Sequence, residues 1–213
     1  MAANGEGMEE AGLDKPLLVT SEAFEALGPE WTQLHGRIAA ATPFTHPAWH
    51  ATWRRHFGSG VSPVFLSFRR DEELVGVAAL EISGDTARTL GDRHVRDYAG
   101  PLALPGEEPG VAGALFEWLR EDLTPRAELW GLAEESAMAA ALQEAAAGQG
   151  WAAEAEAEAV CPVADISAGF EAYLGGLSKK DRHELRRKLR TLAAPGDVRY
   201  ERRLAHEDGQ ALE

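Results

Sequence analysis

The sequence predicts a mixed α/β (α+β) fold in which helices flank a largely antiparallel central sheet. Three observations carry this. Residues 64–91 break into short apolar runs separated by tight polar turns, the pattern of a strand meander. Segments on either side repeat apolar residues every three or four positions, as amphipathic helices do. The chain has 213 residues, 45% of them hydrophobic, enough to bury a sizeable core.

Taken in order, residues 1–16 are small, polar and acidic and read as a disordered leader. LLVT (17–20) is a short strand candidate, and Ser21 is placed to cap a helix carrying Phe24 and Leu27. Gly28 and Pro29 are expected to interrupt that helix, and Trp31, Leu34 and Ile38 to continue the stripe until Thr42 and Pro43. In HPAWHATWRRHFG, Pro47 suits a first helical turn, Trp49, Trp53 and Phe57 recur every four residues, and Gly58 suits a stop. VFLSFRR (64–70), LVGVAALEIS (74–83) and TARTLG (86–91) are the meander strands. A long loop, 92–110, leads to a helix over 111–123 with Leu115, Trp118 and Leu119 on one face. ELWGL (128–132) reads as a strand, and Ser136 caps an alanine-rich helix to about 147. The alternation in WAAEAEAEAV suggests a half-exposed edge strand within 151–166. A short helix with Phe170, Tyr173, Leu174 and Leu177 follows, weakened by Gly175 and Gly176. Ser178 then starts a longer helix, DVRYERRL (197–204) reads as a strand, and residues 195–213 look like the start of a second domain.

Composition excludes several classes. One cysteine, Cys161, permits neither an internal disulfide nor a multi-cysteine zinc site, so a reducing, cytoplasmic setting is expected. There is no signal-peptide pattern and no run long and apolar enough to span a membrane. A formal charge of −14 makes the chain a poor general binder of DNA. Against that background, LSKKDRHELRRKLRTL (177–192) stands out. Between Ser178 and Arg190, seven of the 21 Lys and Arg face only Asp181 and Glu184, a net of +5, which leaves −19 for the remainder. On a helical wheel Leu177, Leu185, Leu189 and Leu192 gather on one side, with Lys179, Arg186 and Arg190 opposite. Ser178 and Asp181 form an S-x-x-D capping box, so the helix amides and Lys179, Lys180 and Arg182 converge at its start, a geometry suited to an anion. Lys179, Lys180, Arg182, Arg186 and Arg187 are the anion-binding candidates. One alternative is a solvated face that docks on the protein's own acidic surface; another is a membrane-surface helix, against which stand the need for its leucines in the core and the lack of aromatic anchors within 178–192.

Other constellations are weaker. His46 and His50 have helical spacing for a metal, but no third ligand is evident and none is expected. Cys161 reads as a buried small apolar residue. No P-loop or G-x-G-x-x-G occurs. The loop GDRHVRDYAGP (91–101) gathers titratable and aromatic groups after a strand. There Asp97 suits proton or hydrogen-bond acceptance, Tyr98 stacking or donation, and Arg93 and Arg96 an anion. Arg96, Asp97 and Tyr98 are therefore substrate-binding candidates. An Asp–Arg pair that ties down a long loop is the competing interpretation.

PFTHPAWHATWRRHFG, LVGVAALEI, RDYAGP, LFEWLREDL with LWGL, and above all YLGGLSKKDRHELRRKLRTL together give residues 42–192 a recognisable pattern. It resembles the N-terminal half of FemAB-like and CelD-like acyltransferases of the GNAT superfamily, proteins built like two fused GNAT halves. The resemblance implies a GNAT-like domain over 17–176, a basic connecting helix over 177–194 and a second GNAT-like domain in the intact gene product. It also implies transfer of an acyl or aminoacyl group, from acyl-CoA or aminoacyl-tRNA as co-substrate and without a tightly bound cofactor. The acceptor would be an amine or hydroxyl of a cell-envelope or polysaccharide precursor. An acyl-CoA site in this superfamily carries a Q/R-x-x-G-x-G/A loop after its fourth strand, and DRHVRDYAGP does not match it. The 213 residues alone are therefore expected to be inactive. A non-catalytic module that recognises an anionic polymer or partner protein on the same scaffold is the alternative.

Overall fold

The computed structural model describes residues 15–121, 125–196 and 198. Residues 1–14 of the expected leader, the end of the 111–123 helix, and most of the expected 197–204 strand and second-domain start lie outside them. The chain divides into two compact units, residues 1–158 and 159–213.

The first unit has the expected mixed α/β class, with a mostly antiparallel sheet flanked by helices. Its strands are β1 (Leu18–Ser21), β2 (Pro63–Arg70), β3 (Glu73–Ser83), β4 (Thr86–Thr89), β5 (Leu102–Ala103) and β6 (Arg126–Glu128). They run in the order β1-β2-β3-β4-β6, and β5 also pairs with β3. The pairs β1/β2, β2/β3, β3/β4 and β3/β5 are antiparallel, and β4/β6 is parallel. Asp71 closes the β2–β3 hairpin with φ 56°, a left-handed turn conformation that aspartate tolerates.

Strand β3 is buried on both faces, which explains why LVGVAAL is continuously apolar rather than alternating. On one face Val77 and Ala79 pack with Phe65, with Leu27, Trp31 and Leu34 of α1 (Phe24–Gly36) and with Trp53 of α2 (Pro47–Phe57). On the other, Ala78 and Leu80 pack with Leu66 and Phe68. There they meet Val111, Leu115 and Leu119 of α3 (Glu108–Glu121), and Met138, Leu142 and Ala146 of α4 (Ala137–Gly148). Gly76 lets α3 approach, because a Cβ there would lie 2.6 Å from Val111 Cγ2.

Several local expectations are overturned. Helix α1 runs through Gly28 and Pro29 instead of breaking, and it starts after Ala23 without a side-chain cap from Ser21. Burying Leu27, Trp31 and Leu34, each contributing about 2 kcal/mol, outweighs the roughly 3 kcal/mol cost of an internal proline. In α2 the buried face is Pro47, His50 and Trp53, while Phe57 is 63% exposed; the four-residue repeat is not the core stripe. Of ELWGL only Glu128 is in a strand, the end of β6. Ser136 does cap α4, accepting from the Ala139 N–H at 3.2 Å. The alternating segment after Trp151 forms no strand and no ladder; it is irregular and almost wholly exposed, and Cys161 within it is exposed rather than buried.

In the second unit, α5 (Phe170–Gly176) leads into α6 (Lys179–Ala193). The capping box is present: Ser178 Oγ accepts from the Asp181 N–H at 3.2 Å and donates to Asp181 Oδ2 at 2.7 Å. The expected burial of the leucine face is not found, since no residue of α6 is buried.

Candidate functional site

The loop over residues 90–101 is an excursion from one line of pairing along β3. Strand β4 pairs with residues 80–83 of β3 and β5 with residues 76–77, so the chain leaves the sheet at Leu90 and rejoins it at Leu102. Its two ends are fixed by Leu90 N–H to Ala79 O (3.0 Å) and Leu104 N–H to Val75 O (2.9 Å). Its outer limb is fixed by Ala99 N–H to Gly131 O (2.9 Å). Gly131 sits at φ 70°, and a Cβ there would come within 3.0 Å of the Ala99 nitrogen, so this crossing requires glycine.

Arg96 is at the centre of this loop and is 4% exposed. Its Nη1 donates to Leu90 O at 2.5 Å and its Nε to Tyr98 O at 3.2 Å. The guanidinium lies 4.9 Å from the Trp49 ring centre and 5.8 Å from that of Trp130, faces that attract a cation. Burial pushes its pKa down to about 10, and no carboxylate is paired with it among the described residues. Arg93 lies over the outer side of Trp130 and 3.6 Å from Glu158. Arg96, Asp97 and Tyr98 are consecutive in a turn tied by these hydrogen bonds. Arg96 holds the loop's own carbonyls, while Asp97 is exposed and Tyr98 half-buried.

Behind Trp49 lies a group that composition did not reveal. His50 is 1% exposed, 4.8 Å from the Trp31 ring and 5.2 Å from that of Trp49, and its Nδ1 has no hydrogen-bond partner. Burial, then the positive charges of Arg96 and His46, hold its pKa well below 6.5. His46 Nδ1 caps α2 by accepting from the Ala48 N–H at 3.0 Å. No cluster of three potential ligands occurs among the described residues. The unfolded chain takes up a proton here near pH 6.5 and the native site does not. The unfolded state therefore binds more protons, and stability falls as the pH drops below 6.5. We expect a slope approaching about 1.4 kcal/mol per pH unit from His50, flattened in His50→Phe, in urea titrations between about pH 7 and about pH 5.

The turn that enters α3 is the second notable feature. The segment after TARTLG does not lead to this helix; Leu104–Glu107 does. There Arg70 grips Glu107 with Nε to Oε1 at 3.0 Å and Nη2 to Oε2 at 2.7 Å, and both side chains are nearly buried. Gly106 N–H donates to Glu108 Oε2 at 2.6 Å. Two of the protein's own carboxylates therefore lie at the start of α3, one held by Arg70 and one by the Gly106 N–H that precedes the helix.

In the second unit the basic candidates split. Arg187 makes a bidentate pair with Glu184 (2.7 and 2.8 Å), Arg186 lies 3.6 Å from Glu171, and Arg182 donates to Leu177 O at 3.0 Å. Lys179 and Lys180 are exposed and carry no ion pair among the described residues.

No protein-family model matches the chain, and no curated protein sequence does. Among solved structures, the chain is similar to the apo crystal structure of the aminoglycoside antibiotic 6'-N-acetyltransferase AAC(6')-IG from Acinetobacter haemolyticus. That match has a TM-score of 0.40 and 12% identity, and covers 70% of this chain and 99% of that one.

Proposed function

We propose that the protein is a GNAT-superfamily N-acyltransferase of FemAB-like or CelD-like type, or one part of it. It would transfer an acyl or aminoacyl group to an amine or hydroxyl of a cell-envelope or polysaccharide precursor. The supporting observation is the order of pairing in the sheet: an antiparallel run from β1 to β4, a crossover through α3, and the parallel strand β6 beside β4. In this reading the 90–101 turn is an acceptor-side surface, with Asp97 and Tyr98 facing substrate and Arg96 fixing them. The cations of α6 form an anion-facing patch, and a second GNAT-like domain in the intact gene product supplies what this half does not.

Glu107 and Glu108 support the division of labour. A pyrophosphate needs the free amides at a helix start, and at the start of α3 the nearby charges of Glu107 and Glu108 would repel a second anion. The same observation favours the second reading, a binding module on a GNAT scaffold that recognises an anionic polymer or partner protein. Calorimetric titration of acetyl-CoA into the full-length gene product and into the 213-residue chain separates them. Binding by the full-length protein alone is expected. Binding by neither overturns the acyl-CoA form of the reading, and absence of aminoacyl-tRNA binding in a parallel titration then favours the module; binding by the short chain overturns the exclusion of pyrophosphate at the α3 start.

A further inference from the structure

Helix α6 combines two properties that a helix of a folded domain seldom shows together. Its polar side carries dense positive charge, and its apolar side is not packed: Leu189 is 42% and Leu192 60% exposed, and Leu185 is only half-buried. Phe170, on the preceding helix, is 50% exposed. Arg182 and Lys188 flank the leucine stripe, one on each side, with Lys179, Arg186 and Arg190 beyond them. Beside Leu192, a recess of about 430 Å³ is lined by Arg187, Lys188, Thr191 and Pro195, so that cationic heads and an apolar side chain border the same space.

From this juxtaposition we infer that α6 binds in the plane of an anionic lipid surface, its leucines at the acyl boundary and its cations among the phosphates. Charge and apolarity choose this occupant together. A nucleic acid would satisfy the cations and leave the leucines in water. A second copy paired through the leucines would bring two helix segments of +5 into contact. A bilayer offers a negative layer directly above an apolar one, matching both faces at once. The −19 carried by the rest of the chain is repelled by the same surface, which confines contact to this helix. The inference does not depend on the acyltransferase reading.

Flotation of the whole protein with vesicles of phosphatidylcholine, with and without phosphatidylglycerol, tests it. Binding is expected only where phosphatidylglycerol is present. It should weaken in concentrated salt, where the screening length shrinks from about 10 Å to about 3 Å. Leu189→Ser with Leu192→Ser, at exposed positions that the fold does not need, should lower partitioning by about tenfold. Arg187→Gln with Lys188→Gln should do so by a similar factor. Absence of binding overturns the inference. So does binding that persists in the leucine variant and is matched on a single-stranded oligonucleotide, which would mark a polyanion site. Leucine-dependent dimerisation in light scattering, without flotation, would assign the face to a second copy.

Discussion

Replacing Glu107 with alanine is expected to destabilise the protein by about 3 kcal/mol, the loss typical when one partner of a nearly buried ion pair is removed. The cost arises from what remains. Arg70 would keep its charge at the edge of the sheet, with its bidentate partner gone and only the Lys15 carbonyl still bonded. The α3 amides would lose a stabilising negative charge at the same time. Replacing both partners, Arg70→Met with Glu107→Leu, should recover at least half of the loss, because neither charge is then stranded. Chemical denaturation of the three variants measures this, and a double variant as unstable as Glu107→Ala would show that packing, not the ion pair, sets the cost. Glu107→Ala also opens the α3 start. Any gain in acetyl-CoA binding in that variant would identify the carboxylate as what excludes the pyrophosphate.

This pair shows where sequence reasoning ran out. Arg70 and Glu107 are 37 residues apart, and each looks like an ordinary surface charge in its own segment. Periodicity carries the information for elements that satisfy themselves locally or bury one face. The β2–β3–β4 meander, the Ser136 and Ser178 caps and the α3 stripe were all legible for that reason. It fails where tertiary burial outweighs local preference, as at Pro29, and where an alternating pattern meets no partner strand, as after Trp151. Of the candidate site, the cluster Arg96, Asp97 and Tyr98 was legible as a polar, aromatic loop after a strand. That Trp49, Trp130 and His50 come to stand beside Arg96 was not, because they come from two segments, both distant in sequence from the Arg96 loop. For α6 the two faces were legible from the spacing of its leucines and cations, whereas burial of the leucine face was not, because periodicity marks an apolar face without naming what covers it.

Arg96→Met is expected to cost roughly 3 kcal/mol and to release the 90–101 turn. A methionine fills a comparable volume between the indoles but donates nothing, so the Leu90 and Tyr98 carbonyls lose their partners at about 1–3 kcal/mol for each one buried. A lysine cannot make two divergent hydrogen bonds with the same planar geometry, so Arg96→Lys should recover only the charge-to-indole attraction, a minor part of the loss. The indoles report the change directly, because Trp49 and Trp130 lie against the guanidinium and their fluorescence should shift as water enters. Limited proteolysis should cut within 90–101 in Arg96→Met before it cuts elsewhere. A variant that keeps native stability and a protected loop would mean that the guanidinium is not the staple. The buried charge would then be there for a ligand's anion, and the acceptor surface would centre on Arg96 rather than on Asp97 and Tyr98. Expected instead is a cation held by its own backbone, with the turn that carries Asp97 and Tyr98 fixed by it.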